Sequence, residues 1–160
     1  MARAQGNGSD RVGAEIKRRQ ALMGACARAT EEELAGALAS LGDVPAAQEL
    51  RAPETGLVML RGRIGGTGTP FNLGEVTVTR AAVRLANGSM GVSYLIGRAH
   101  RRARLAAMVD ALAQDAANLI RLEANLTRPV MARLAAEDAR VRADVAATKV
   151  DFFTLVRGEG

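Results

Sequence analysis

Tryptophan is absent, and three phenylalanines and one tyrosine are the only aromatic residues in the chain. So few rings argue against a nucleic-acid platform built on base stacking. There is one cysteine, Cys26, and one histidine, His100. A zinc finger, an iron–sulfur cluster or a disulfide framework held within this chain alone is therefore excluded. No apolar run approaches the ~18–20 residues of a membrane span. Residues 1–10 are mostly small and polar and no hydrophobic stretch follows them, so no secretion signal is expected. With no paired cysteines, a reducing, cytoplasmic setting is expected.

What is there is globular. Hydrophobic residues make up 48% and charged residues 24% of 160, a composition that folds and a length that suits one domain. The expectation is a flexible tail over 1–10 and a single α+β domain over 11–160. The net charge of +5 is unevenly placed. Residues 30–50 hold five acids and no base, whereas residues 51–104 hold nine arginines against two glutamates. Arginine suits bidentate recognition of phosphate or carboxylate and charged protein interfaces. Compositional bias in an alanine- and arginine-rich chain explains the choice of Arg over Lys equally well, but not the clustering.

The hydrophobic period changes twice along the chain. A helix is predicted over 11–28, with Val12, Ile16, Met23 and Cys26 at roughly helical spacing. Its Lys17-Arg18-Arg19 run reads as a solvated face. Thr30 and Glu33 have the spacing of a capping box, and Leu34, Leu38 and Leu41 the spacing of a buried stripe that stops at Gly42. The centre then reads as strands over 47–52, 56–64, 74–85 and 90–97. Val76 and Val78 differ in parity from Val83 and Leu85, which predicts a bulge or strong twist near Arg80–Ala82. Asn87-Gly88 predicts a type I′ hairpin, with positive φ at both positions. The result is an antiparallel sheet. Leu105 to Ile120 recur at threes and fours, so one long helix is predicted over 99–123. Another follows Thr127 and carries Val130, Leu134, Val141 and Val145. Residues 150–157 read as a terminal strand with two of the three phenylalanines, apolar on both faces. Covered by this domain on one side and by a partner on the other, that strand makes Phe152, Phe153 and Arg157 assembly candidates.

Two stretches invite chemistry. The loop Gly65-Gly66-Thr67-Gly68 could turn backbone N–H groups onto an anion. No Lys-Ser/Thr follows it, so neither the Walker nor the dinucleotide pattern is satisfied, and a tight turn is the plainer reading. Arg98, Arg101, Arg102 and Arg104 surround His100 where a helix begins, a place favourable to an anion and equally suited to a solvent or partner face. His100 has no neighbouring carboxylate in sequence to orient it as a general acid or base. Cys26 on an apolar helix face reads as core. Asp110, Asp115 and Glu123 have the spacing of an exposed face. No nucleophile–base set, metal set or carboxylate pair stands out, so no catalytic or metal-binding residue is assigned.

Several segments together resemble one family. They are Pro53-Glu54-Thr55-Gly56-Leu57-Val58-Met59, Arg63-Ile64-Gly65-Gly66-Thr67-Gly68 with Phe71, and Thr77-Val78-Thr79-Arg80-Ala81-Ala82-Val83-Arg84-Leu85. Gly91-Val92-Ser93-Tyr94, Gly97-Arg98, Asp110-Ala111-Leu112 and the ending 150–158 complete the set. From about residue 20 to the C-terminus the chain is similar to the PhnG subunit family of the bacterial carbon–phosphorus lyase complex. The resemblance implies a subunit that works with PhnI, PhnH, PhnJ and PhnL. With PhnI, PhnH and PhnL, such a subunit supports transfer of ribose 5-triphosphate from ATP to methylphosphonate. That reaction releases adenine and yields α-D-ribose 1-methylphosphonate 5-triphosphate. PhnJ, using S-adenosylmethionine and its own iron–sulfur cluster, later breaks the C–P bond. The resemblance implies an accessory or structural role, no cofactor on this chain, and ATP and methylphosphonate as substrates of the complex. Where the family pattern has a His-Ala-Glu step, this chain has Arg102-Ala103-Arg104, so His100 inherits no role. Gly66, Thr67, Gly68, Arg80 and Arg98 are the candidates for contact with a phosphate or a partner. The alternative is a small basic domain binding nucleic acid or another polyanion, with affinity that falls steeply with salt.

Overall fold

The computed structural model describes residues 6–148. The expected terminal strand, with Phe152, Phe153 and Arg157, lies outside the described residues. Helix α1 spans Gly6–Arg28 and α2 spans Glu31–Ser40. Strand β1, Ala47–Arg63, is followed by a single 3₁₀ turn, Ile64–Gly66, and by β2, Pro70–Leu85, and β3, Met90–Ile96. Helices α3 (His100–Leu112) and α4 (Ala116–Leu122) come next. A π-helical turn, Glu123–Thr127, leads directly into α5, Arg128–Ala147. The sheet is antiparallel in the order β1-β2-β3. The α+β class is as the sequence implied.

The capping box is formed: Glu33 N–H donates to Thr30 Oγ1, and Thr30 N–H to the Glu33 carboxylate. Gly42, at φ +89, ends that segment in a conformation that favours glycine. The single helix expected over 99–123 is broken at 113–115. Asp115 caps α4 by accepting from Asn118 N–H, so a new helix starts where the periodicity ran on.

The core lies between one face of the sheet and the helices. Val83, Leu85 and Leu95 meet Leu22, Leu34, Val109, Leu122, Leu126 and Val130, all buried. Each such side chain contributes roughly 1.5–3 kcal/mol on burial. Val12 and Ile16 on α1, and Val141 and Val145 on α5, are exposed instead, because those helix ends run past the packed layer.

Strand parity differs most from expectation. β2 pairs with β3 without interruption from Val78 to Arg84, so no bulge occurs at Arg80–Ala82. The register shifts at that level lie in β1, between Glu49 and Arg51 and between Arg51 and Glu54. β1 is an edge strand, and Pro53, which has no N–H to give a ladder, sits within the second irregularity. The hairpin after β2 is also not type I′: only Gly88 has positive φ, and Asn87 does not. Gly88 N–H donates to Leu85 O at 2.9 Å, and Leu85 N–H to Ser89 O at 2.9 Å. This is a three-residue loop with glycine at the left-handed position.

On β3 the small residues Gly91 and Ser93 face inward with Leu95. The cause is α3. A Cβ on Gly91 would lie 2.0 Å from Ala107 O and 2.4 Å from Ala111 N, so the helix backbone rests directly on the strand. Ser93 Oγ donates to Ala103 O at 2.7 Å, and Ala103, Ala107 and Ala111 keep the approach close. Met90, Val92, Tyr94 and Ile96 therefore point away, onto a sheet face that no described element covers.

Candidate functional site

Three places could act on something outside the fold: the turn at the tip of the β1–β2 hairpin, the start of α3, and the bare sheet face. At the tip, Gly65 and Gly66 take φ of +62° and +78°, and a Cβ on Gly68 would meet Ile64 O at 2.8 Å. The glycines meet the steric needs of the turn. Gly68 N–H donates back to Ile64 O at 3.1 Å, so it does not converge on an external anion. Arg63 Nη1 donates to Gly68 O at 3.0 Å and braces the turn. Gly66, Thr67 and Gly68 are thus together, but ten residues of β2 separate Pro70, at the tip, from Arg80. At ~3.3 Å per residue that is roughly 30 Å, so the glycine loop and Arg80 do not share one site.

Arg80 lies on the bare face. Its Nε donates to Glu54 Oε1 at 2.6 Å, Arg51 pairs with the same carboxylate, and Tyr94 is its cross-strand neighbour on β3. The hydrogen bonds from Arg51 and Arg80 hold the Glu54 carboxyl below its ordinary value, and Glu54 holds Arg80 more firmly charged. Arg98 is exposed in the turn after β3 and makes no hydrogen bond or ion pair among the described contacts.

The start of α3 is organised by a residue that sequence reading passed over. Thr79, fully buried, donates to Gly97 O at 2.7 Å and accepts from Ala99 N–H at 3.0 Å, tying β2 to the β3–α3 turn. Thr55 lies beside it, and Thr55 Oγ1 is 2.8 Å from His100 Nε2. His100 therefore has a hydroxyl as its hydrogen-bond partner rather than a carboxylate. The relay that would orient it as a general base is not present at that nitrogen. The parity of β2, once known, was the available signal for Thr79.

Asp110 corrects the exposed-face expectation. It is 2% exposed, accepts both donors of Arg19 at 2.8 Å, and accepts Val92 N–H at 2.9 Å. One carboxylate thus joins α1, α3 and β3. Glu123 accepts two bonds from Arg18 across to α1, and Asp115 is the α4 cap. Cys26, in the core as expected, borders an 80 Å³ hollow with Leu22, Val92 and Asp110, far below the ~300 Å³ of a small-molecule site. Desolvation pushes its thiol up to about 12, with the Asp110 charge adding to the shift.

Part of the arginine cluster has partners within the fold. Arg101 pairs with Glu31 at 3.1 Å and Arg104 with Glu49 at 2.8 Å, so acids of the 30–50 block meet bases of the 51–104 block. Arg133 binds Glu33 through two nitrogens and also reaches Arg28 O and Glu137. Among the described residues, no group of three or more His, Cys, Asp or Glu is placed to hold a metal ion. None of the described helices is long and apolar enough to cross a membrane.

These features define a small α+β domain in which many of the charged side chains join its own elements, and in which no described element covers one face of the sheet. The chain belongs to the family described as phosphonate metabolism protein PhnG, which it matches over residues 17–158. It is 53% identical over 146 residues to the alpha-D-ribose 1-methylphosphonate 5-triphosphate synthase subunit PhnG of Rhizobium meliloti (strain 1021). That alignment covers 91% of this chain and 93% of the relative.

Proposed function

We propose that this chain is an accessory subunit of α-D-ribose 1-methylphosphonate 5-triphosphate synthase, within the C–P lyase system of phosphonate breakdown. It works in the cytoplasm with PhnI, PhnH and PhnL, and in the wider assembly with PhnJ. The assembled complex transfers ribose 5-triphosphate from ATP to methylphosphonate and releases adenine. This chain holds no cofactor of its own, and the nucleotide and the phosphonate bind where the subunits come together.

The 53% identical synthase subunit carries this reading. The chemistry of the described side chains agrees with an accessory role. Displacing adenine from the ribose requires a group that stabilises the leaving base and one that positions the phosphonate oxygen. His100 is engaged with Thr55, Asp110 with Arg19, and Glu54 with two arginines. Arg80 and Arg98 remain the candidates for contact with a phosphate or a neighbouring subunit.

Adenine release from ATP in the presence of methylphosphonate is the test. The purified chain alone is expected to release none, and the co-expressed subunits to release it stoichiometrically with the ribosyl product. Turnover by the isolated chain at the rate of the complex would overturn the accessory role.

A further inference from the structure

Beyond Gly56 and Thr77 the sheet narrows. β3 stops at Ile96, opposite Val78, so β1 and β2 continue outward as a two-stranded ribbon to the turn at 64–69. A two-stranded ribbon alone in water is marginally stable at best. This one carries interior-type residues on both faces. Leu57 and Met59 point to one side and Val58 and Leu60 to the other, all exposed, Leu57 by 63%. Leu73 lies over Gly62, and Ile64 at the tip is 77% exposed. Apolar side chains on both faces of a protruding element indicate cover on both faces. Between Thr55 and Gly74 there is no acid, while Arg61 and Arg63 stand near the tip.

We propose that this arm, residues 57–76, inserts into a groove of a second, different protein subunit. The groove is lined by apolar side chains on both walls and carries carboxylates where it receives Arg61 and Arg63. Charge selects the occupant. Two copies of this chain joined arm to arm would bring four guanidinium groups together against only two carboxylates, Glu75 of each arm, whereas a partner bearing further carboxylates neutralises them. From Leu57 to Ile64 the arm reaches roughly 25 Å at ~3.3 Å per residue, enough to cross much of a small domain. The inference rests on the reading of the chain as a synthase subunit and deepens it by naming the element that is gripped.

The experiment uses the full chain, affinity-tagged and co-expressed with the other synthase subunits, and measures partner recovery by size-exclusion chromatography. Leu57→Asp/Met59→Asp and Leu60→Asp/Leu73→Asp each charge one face of the arm, and Arg61→Glu/Arg63→Glu reverses its tip. All six positions lie outside the buried core. The circular dichroism spectrum and unfolding midpoint of each purified variant are therefore expected to match the wild type. Partner recovery is expected to fall at least tenfold in both apolar-face variants, and also in the tip variant at low salt. Wild-type recovery in both apolar-face variants would overturn the placement of the arm while leaving the subunit reading intact. Failure of the unaltered chain to recover any synthase subunit would overturn that reading and the proposal with it. A wild-type dimer that the variants convert to monomer, with heterologous assembly unchanged, would make a second copy the occupant. Loss of binding to anionic vesicles with assembly intact would assign the arm to a lipid surface. Either result would also overturn the proposal.

Discussion

Gly91 is the residue on which the orientation of β3 turns. Its missing side chain lets the α3 backbone settle on the strand, and a Cβ would overlap Ala107 O and Ala111 N. Neither is a flexible side-chain end that could swing aside. Gly91→Ala is expected to destabilise the domain by ~1–3 kcal/mol, the range of core overpacking, or to prevent folding. Thermal unfolding checks it, and Ser93→Ala serves as the milder control, since it removes only the bond to Ala103 O. Cys26 allows a second measurement at this scale. Buried, with its thiol held up at about 12, it exists as the unreactive thiol at neutral pH. Alkylation by iodoacetamide is expected to be at least tenfold slower in the native protein than in denaturant. Equal rates would mean that the α1–β3 packing around it opens freely.

Between elements, the joints are charged and mostly at the surface. Arg133 ties α5 to the start of α2 through Glu33, Arg18 ties α1 to the π turn through Glu123, and Arg51 and Arg80 share Glu54. In each case hydrogen bonds from arginine hold the carboxyl below its ordinary value of 4.5. A carboxyl depressed in the folded state stabilises the fold above the unfolded value, and that contribution is lost as pH falls through the folded value. The unfolding midpoint is therefore expected to decline as pH is lowered below about 4.5. Arg133→Ala removes the partner from Glu33 and Glu137 and should make that decline shallower as well as lowering the midpoint at pH 7. Because these groups are largely exposed and screened by solvent, each pair is worth little alone. Asp110 differs: buried and joined to Arg19 and Val92 N–H, it couples three elements in one place.

At the scale of the molecule, helices cover one face of the sheet, no described element covers the other, and a ribbon runs out past the third strand. Arg80 sits on that bare face, with Tyr94 and Ile96 exposed by 61% and 72%. Arg80→Ala is expected to leave the unfolding midpoint close to that of the wild type, as for a surface substitution. It is expected to lower adenine release by the co-expressed complex several-fold. Undiminished activity together with undiminished assembly would remove Arg80 from the functional surface.

Local signals were sufficient where a short stretch of chain settles its own geometry. The capping box at Thr30 and Glu33, the stop at Gly42 and the pairing of residues around 74–97 are each fixed by groups within a few residues of one another. The family resemblance was likewise legible, because it rests on residue types at fixed spacing. What needed the tertiary structure was every choice between two faces. Alternation says that Met90, Val92, Tyr94 and Ile96 share a side, but not which side. The close seat of α3 on Gly91 and Ser93 decided it. Periodicity likewise placed Asp110 on a helix without showing that Arg19, ninety-one residues away, would bury it in a bidentate pair. Two arginines of the basic block, Arg101 and Arg104, found their opposites in Glu31 and Glu49 of the acidic block, a pairing that charge counting along the chain does not show. Side-chain period is a property of the local backbone, whereas burial belongs to the neighbour that arrives from elsewhere in the chain.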